Sequence, residues 1–280
     1  MLAAAVGLSA TLLAGCGAAQ PLHAATPPDS VPADPGRTAA ELLAWLLPTP
    51  LLLVGEQHDA PEHQALQREL VHQLAASARL AALVLEMADQ GVRTTGLPTD
   101  ASEGQVRQAL RWTNNGGGWP WPVYGPLVMA AVRAGVPVLG GNLPRGQMRA
   151  VMDDNALDQL LKPAALAQQR QDIREGHCGL LPEGQIAPMT RIQIARDRAM
   201  AETAVAASHV GKTVLLVAGN GHVRRDLGVP QHLPAGLGHR VVMAQAGPAP
   251  APGDQADTVW STPPRPPTDH CAEITKQMGR

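Results

Sequence analysis

The sequence predicts an α/β fold: a mainly parallel β-sheet flanked by helices, with a helical insertion over one end. Three observations carry this. Short apolar runs without polar alternation recur along the chain, as strands buried on both faces require. Helical patterns stand between them, the order that a parallel sheet needs. The runs also stop abruptly at glycine and polar residues, first in LLLVGEQHDAPEHQ at 51–64.

In chain order, Thr38 to Leu47 reads as a helix with Leu42, Leu43, Leu46 and Leu47 as its apolar positions. Residues 50–54 are the first strand. Asp59-Ala60-Pro61-Glu62 has the form of a capping box, with Asp as N-cap, Glu three later and Pro in the first turn. The helix it opens carries Leu66, Leu70 and Leu74 as one apolar stripe, and His63 and His72 on it are expected to be exposed. LAALVLEM (80–87) is the second strand, and VPVLGG (136–141), after the helical GPLVMAAVRAG, is the third. TVLLVAG (213–219) is the fourth, preceded by a long helix from about Pro188 to Ser208. HRVVMAQAG (239–247) and ADTVWST (256–262) are the fifth and sixth. Residues 143–209 hold helical patterns and no convincing strand, and form the expected insertion.

Composition narrows the function classes. The chain has 280 residues, 45% of them hydrophobic, with no Phe, one Tyr and five Trp. The core must therefore be built from Leu, Val, Ala and Met. The net charge is -2 and the pI is about 6.5. No basic tract or aromatic–basic interleaving is present, so nucleic acid is set aside as a partner.

The N-terminal MLAAAVGLSATLLAGCGAAQ is apolar but too short to span a bilayer, which takes about 20 apolar residues. It has the length of a signal h-region. Leu13-Ala14-Gly15-Cys16 resembles the lipobox of bacterial lipoproteins, in which the cysteine becomes the lipidated first residue. The other reading is an ordinary signal peptide with a chance Cys. Residues 1–16 are thus assigned to the leader, and 17–37, rich in Ala and Pro, to a tether that cannot pack. The folded domain is placed at 38–274, with 275–280 as a tail. If Cys16 is acylated, Cys178 and Cys271 remain. In an oxidising compartment they form a disulfide, or else they are two buried thiols.

The strand ends hold the chemistry. The first gives Gly55-Glu56-Gln57-His58, the second Glu86, the third Asn142 and the fourth Gly219-Asn220-Gly221-His222. Open parallel sheets bind ligands outside the carboxyl ends of their strands, so these residues converge on one edge. Two imidazoles and a carboxylate, His58, Glu86 and His222, suit zinc or another divalent metal. Such a site would make the protein a metal-dependent hydrolase, or His58 would serve as a general base. Otherwise each residue is a cap or a hydrogen-bonded strand end.

Gly55-x-x-His58, Glu86, Asn142 and Gly219-x-x-His222 resemble the pattern of the Tiki, erythromycin-esterase-like and ChaN-like superfamily. So do Tyr124-Gly125-Pro126-Leu127, Gly141-Asn142-Leu143-Pro144-Arg145, His177-Cys178-Gly179, and Arg196-Asp197-x-x-Met200-Ala201. Within it the chain is most similar to the ChaN-like haem-binding lipoproteins. That resemblance implies haem, with Tyr124, the single tyrosine, as the iron ligand in a site separate from the strand-end set. It also implies a homodimer enclosing two haems, with propionate or pocket contacts at His177, Arg145 and Arg196, and Arg149 as a further basic candidate. Trp119 and Trp121 either stack on the macrocycle or anchor their loop. The expected location is the cell envelope, lipid-anchored at the outer membrane facing the periplasm, with an outer-membrane haem receptor as partner. His23 and His270 receive no role.

Overall fold

The computed structural model describes residues 37–113, 119–248, 252–266 and 269–278. Cys16, His23 and the leader lie outside them. Six strands form one sheet: β1 (Leu51–Glu56), β2 (Leu80–Asp89), β3 (Val138–Asn142), β4 (Thr213–Gly219), β5 (His239–Ala246) and β6 (Thr258–Thr262). All neighbours pair in parallel, in the order β3-β2-β4-β1-β5-β6. The helices are α1 (Ala39–Leu46), α2 (Pro61–Ala76), α3 (Glu103–Ala109), α4 (Trp121–Arg133), α5 (Met148–Met152), α6 (Pro163–Gly176), α7 (Glu183–Ala206), α8 (Asn220–Val223) and α9 (His270–Met278).

Burial explains the layering. Strand residues alternate between the faces of a sheet. In β1, Leu52 and Val54 join a core with Leu42, Leu70, Leu74 and Leu127 from α1, α2 and α4. Leu51 and Leu53 join a second core with Met200, Ala201 and Ala204 of α7 and Val223 of α8. These four β1 side chains are fully buried, and burying each contributes about 1.5–3 kcal/mol. Helices therefore cover both faces of the central strands.

One local expectation is corrected. The capping box at Asp59 does not form: Ala60 is the N-cap of α2, with no side-chain cap. Asp59 instead pairs with Arg265 at 2.6 Å, and Pro61 at the first helical position has no N–H to satisfy. A capping box does form at Thr38, whose hydroxyl accepts from the Glu41 N–H at 3.2 Å while the Glu41 carboxylate accepts from the Thr38 N–H at 2.7 Å.

The insertion is helical, but its long helix serves two layers. Ile194 and Ala195 of α7 pack with Leu143, Leu157 and Leu161 in a small separate core. Met200, Ala201 and Ala204, one to three turns on, lie against the sheet. So α7 is both the spine of the insertion and the crossover from β3 to β4. At the other end of the chain, α9 runs through Met278, across the expected start of the tail.

Cys178 and Cys271 are joined in a disulfide, with Cα atoms 5.7 Å apart and a sequence separation of 93. The bond ties α9 to the turn after α6, where His270 Nε2 also lies 3.3 Å from the Gly176 carbonyl oxygen. A loop of this length removes much chain entropy from the unfolded state. Cys178→Ser should lower stability by up to about 4–5 kcal/mol, measured as a shift in urea or thermal unfolding that reducing agent reproduces in the native protein and does not deepen in the variant.

Candidate functional site

Side-chain parity divides the strand ends. Glu56 follows Leu52 and Val54 onto the α2–α4 face of the sheet, and Glu86 follows Val84 onto the α7 face. Both carboxylates are 2% exposed, so each needs partners that compensate its lost hydration.

Glu56 has four. Its Oε1 accepts from the Tyr124 hydroxyl at 2.6 Å and lies 2.7 Å from His58 Nδ1. Its Oε2 accepts from Gln64 Nε2 at 2.9 Å and Gln67 Nε2 at 2.6 Å. Both glutamines come from the first turns of α2 and Tyr124 from the first turn of α4. The helix starts thus meet at the end of β1. Burial, followed by the negative charge and hydrogen bond of Glu56, pushes the Tyr124 hydroxyl far above the usual phenol value. Tyr124 is a neutral donor here.

Glu86 meets cations. Its Oε1 accepts from Arg196 Nη2 at 2.6 Å and lies 3.4 Å from His222 Nε2, while Oε2 accepts from the Gly219 N–H at 2.7 Å. Arg196 Nε also donates to Asn142 Oδ1 at 2.9 Å. His222 Nδ1 lies 2.5 Å from Asp197 Oδ1. Burial opposes charge on Glu86, yet His222, Arg196 and His58 hold it ionised well below the usual carboxylate range. Burial also works against His222, but Glu86 and Asp197 prevail and push it up to about 9, so it is an imidazolium. Burial raises Asp197. Of the two carboxylates at His222, Glu86 is held ionised by the additional Arg196 and backbone donors.

His58 stands between these clusters, with Nδ1 on Glu56 and Nε2 4.0 Å from Glu86 Oε2. Gly219 makes room for it: a Cβ there would lie 2.8 Å from His58 Nε2. The Trp119 ring stands edge-on to His58 at 4.6 Å and to Tyr124 at 5.7 Å. A cleft of about 380 Å³ opens here, with Glu86, Trp112, Trp119, Arg111, Arg145 and Arg196 among its walls.

The structure therefore unites what the sequence divides. Tyr124 is not apart from the strand-end set but shares the Glu56 carboxylate with His58. The expected divalent metal at His58, Glu86 and His222 finds no support. The Arg196 guanidinium and charged His222 already balance Glu86, and His58 Nδ1 faces Glu56. Among the described residues no group of His, Cys, Asp and Glu is arranged to hold a metal ion. Trp121 lies away from the cleft, 6% exposed, with Nε1 donating to Glu103 at 2.9 Å. It anchors α4. His177 caps the end of α6, its Nδ1 2.8 Å from the Ile173 carbonyl oxygen, away from the cleft that Trp119 and Arg196 line. Arg149 is exposed outside both.

His63 is fully buried, contrary to expectation. Its Nδ1 accepts from the Gln57 N–H at 3.0 Å, and its Nε2 lies 3.1 Å from Thr262 Oγ1. Burial lowers its pKa. Gln57 Oε1 in turn accepts from the Ala246 N–H at 2.7 Å, so β5, β6 and α2 together fix the turn that carries His58. Gln64, Gln67 and Asp197 were missed as site residues. The signal was present in α2: the stripe of Leu70 and Leu74 continues toward the helix start as Gln67 and His63, so the buried face turns polar where it nears the strand end.

The family model described as haem-binding uptake, Tiki superfamily, ChaN, matches residues 42–233. The chain belongs to this family. Among solved structures, the ChaN of Campylobacter jejuni, described with cofacial haem, superposes with a TM-score of 0.60 at 22% identity, over 79% of this chain and 89% of that one. At that identity the likeness shows the fold. The type III effector HopBA1 aligns over 84% of this chain and 99% of its own at 14% identity, with a TM-score of 0.46. No curated protein matches.

The charged His222 makes stability depend on pH. Its folded pKa of about 9 lies above the ordinary histidine value of 6.5. Its stabilisation is therefore complete below pH 6.5 and lost as pH rises through about 9. His222→Asn should cost about 3–5 kcal/mol at pH 6, because Glu86 and Asp197 lose their shared cation. Urea unfolding across this window should show the alkaline decline in the native protein and a flatter profile in the variant.

Proposed function

We propose that this ChaN-family protein binds ferric haem through the Tyr124 oxygen, in the service of haem or iron uptake. The observation that carries the reading is the placement of Tyr124. The only tyrosine of the chain lies at the carboxyl edge of the sheet, next to a cleft walled by two tryptophans and three arginines. The donor set fits the group. A phenol oxygen is an established haem ligand, indole faces suit a flat macrocycle, and guanidiniums match carboxylates. Arg111 and Arg145 are the arginines free to take propionates, since Arg196 is held by Glu86 and Asn142. Haem supplies redox-active iron. The residues here hold it, orient it and keep water from its ligand.

The other parts of the reading concern the whole particle. A homodimer formed around haem would bring His177, which lies outside the arginine-lined cleft of its own subunit, to the haem of its partner. The lipobox at Leu13-Ala14-Gly15-Cys16 supports attachment at the outer membrane, facing the periplasm, close to a haem receptor. Among the described residues no helix is long and apolar enough to cross a membrane. Acyl chains on Cys16 would hold the protein, each buried CH₂ contributing about 0.8 kcal/mol. Cys16→Ser should move the protein from membrane to soluble fractions; unchanged fractionation would refute the anchor.

Tyr124→Phe tests the ligand. The variant keeps the ring and removes one of four donors to Glu56, a loss of about 1–3 kcal/mol in stability. Hemin titration should show a loss of the tyrosinate charge-transfer band and much weaker binding. A Tyr124→Phe protein that binds hemin with the native spectrum would exclude Tyr124 as the ligand.

A further inference from the structure

Tyr124 is 1% exposed, so a molecule arriving from solvent does not meet its oxygen. The indole of Trp119 stands over it, edge-on to Tyr124 and to His58. Two clefts adjoin these rings, one through Trp119 and the other through His58, which Trp119 touches. One is the arginine-lined cleft of about 380 Å³, with Trp119 in its wall. The other, about 410 Å³, runs between α2 and α4, with Ala65, Val123, Pro126 and Leu127 in its walls and the polar Arg68 and His58 beside them. His58 and Glu86, one from each cleft, approach to 4.0 Å. The side chains of His58 and Glu86, with the Trp119 indole against His58, thus stand between the two clefts.

The two halves differ in chemistry. The α2–α4 groove is mostly apolar. In the other cleft two guanidiniums, Arg111 and Arg145, face a single carboxylate, Asp89, which leaves unbalanced positive charge. Each cleft alone is at the small end of the range for ligand pockets, about 300–1,000 Å³, and joined they fall well inside it.

We propose that the groove between α2 and α4 is the second half of the ligand site, closed off in this state by Trp119. Rotation of the indole joins the clefts and uncovers Tyr124. A planar amphipathic ring system then takes the indole's place, with its apolar edge in the groove and its carboxylates toward Arg111 and Arg145. Edge-on aromatic contacts are weak enough to exchange for a larger flat surface, and changes of side-chain rotamer are common when a ligand binds. This assignment rests on the reading of Tyr124 as haem ligand.

Two variants and one reference variant test it with hemin as the probe. Ala65 is exposed on α2 and faces the groove, so Ala65→Trp fills the groove without entering the core. It should weaken hemin binding at least about tenfold, as fits a filled subsite, with thermal unfolding unchanged. Trp119→Ala removes the partition. In stopped-flow mixing, the native association rate should level off with rising hemin because opening precedes binding. The variant's rate should keep rising, and at low hemin be about three- to tenfold faster. Tyr124→Phe in the same assays reports on the underlying reading, which fails if that variant binds as the native protein does. If Tyr124→Phe loses binding while Ala65→Trp binds at native strength and Trp119→Ala associates at the native rate, the two-cleft assignment is overturned and the ligand assignment stands.

Discussion

The site depends on one buried carboxylate. Glu56 ends the central strand at 2% exposure, and an anion in that position persists only if its oxygens are hydrogen-bonded. Two glutamines of α2, the phenol of α4 and the imidazole of the following turn meet that demand. The donors come from three stretches of chain, two of them helices, so the carboxylate sets the approach of both helices to the sheet edge. Removing it would leave two glutamine amides without their acceptor and free His58 and Tyr124 from their orientation. The polar cluster after a fully apolar strand is thus a solution to a burial problem as well as the base of a binding site.

The second carboxylate is handled differently because it points the other way. Strand alternation sends Glu86 to the α7 face, where the spine of the insertion supplies Arg196 and, through Asp197, the charged His222. One face of the edge is held by neutral donors and the other by cations. His58, between the two, touches both. The helical insertion is therefore coupled electrostatically to the sheet edge through α7.

Much of this was legible in the sequence, for identifiable reasons. All six strands fall within two residues of their expected runs, because strands buried on both faces are continuous apolar runs, the strongest pattern a chain can carry. Glu56, His58, Glu86, Asn142 and His222 were found because the topology places every strand end on one edge. The failures occurred where side-chain direction decides. Nothing in the one-dimensional pattern says that Tyr124, in a helix far along the chain, turns toward Glu56 rather than outward. His63 seemed exposed because a polar residue on an amphipathic helix usually is; its burial follows only from the turn that it holds. The metal assignment counted ligand types and not the cation already present, since Arg196 reaches Glu86 from 110 residues away.

The scarcity of aromatic residues gives the last step of synthesis. In a core of Leu, Val, Ala and Met, large flat side chains are not needed for packing, yet Trp112, Trp119, Trp121 and Tyr124 lie within contact of one another. Trp121 and Trp112 are buried and hydrogen-bonded, to Glu103 and to the Trp119 carbonyl oxygen. They fix the start of α4 and hence the height of Tyr124 above Glu56. Trp119 differs: it is only half-buried, and among the described residues no hydrogen bond holds its ring, so its indole is the member of the cluster that can leave at least cost. A tyrosine held neutral by burial and by Glu56, beneath a loosely held indole, describes a site closed to solvent until a larger flat partner competes for the same surface. Its resting state is stable because it hides the one phenol oxygen that the chain possesses.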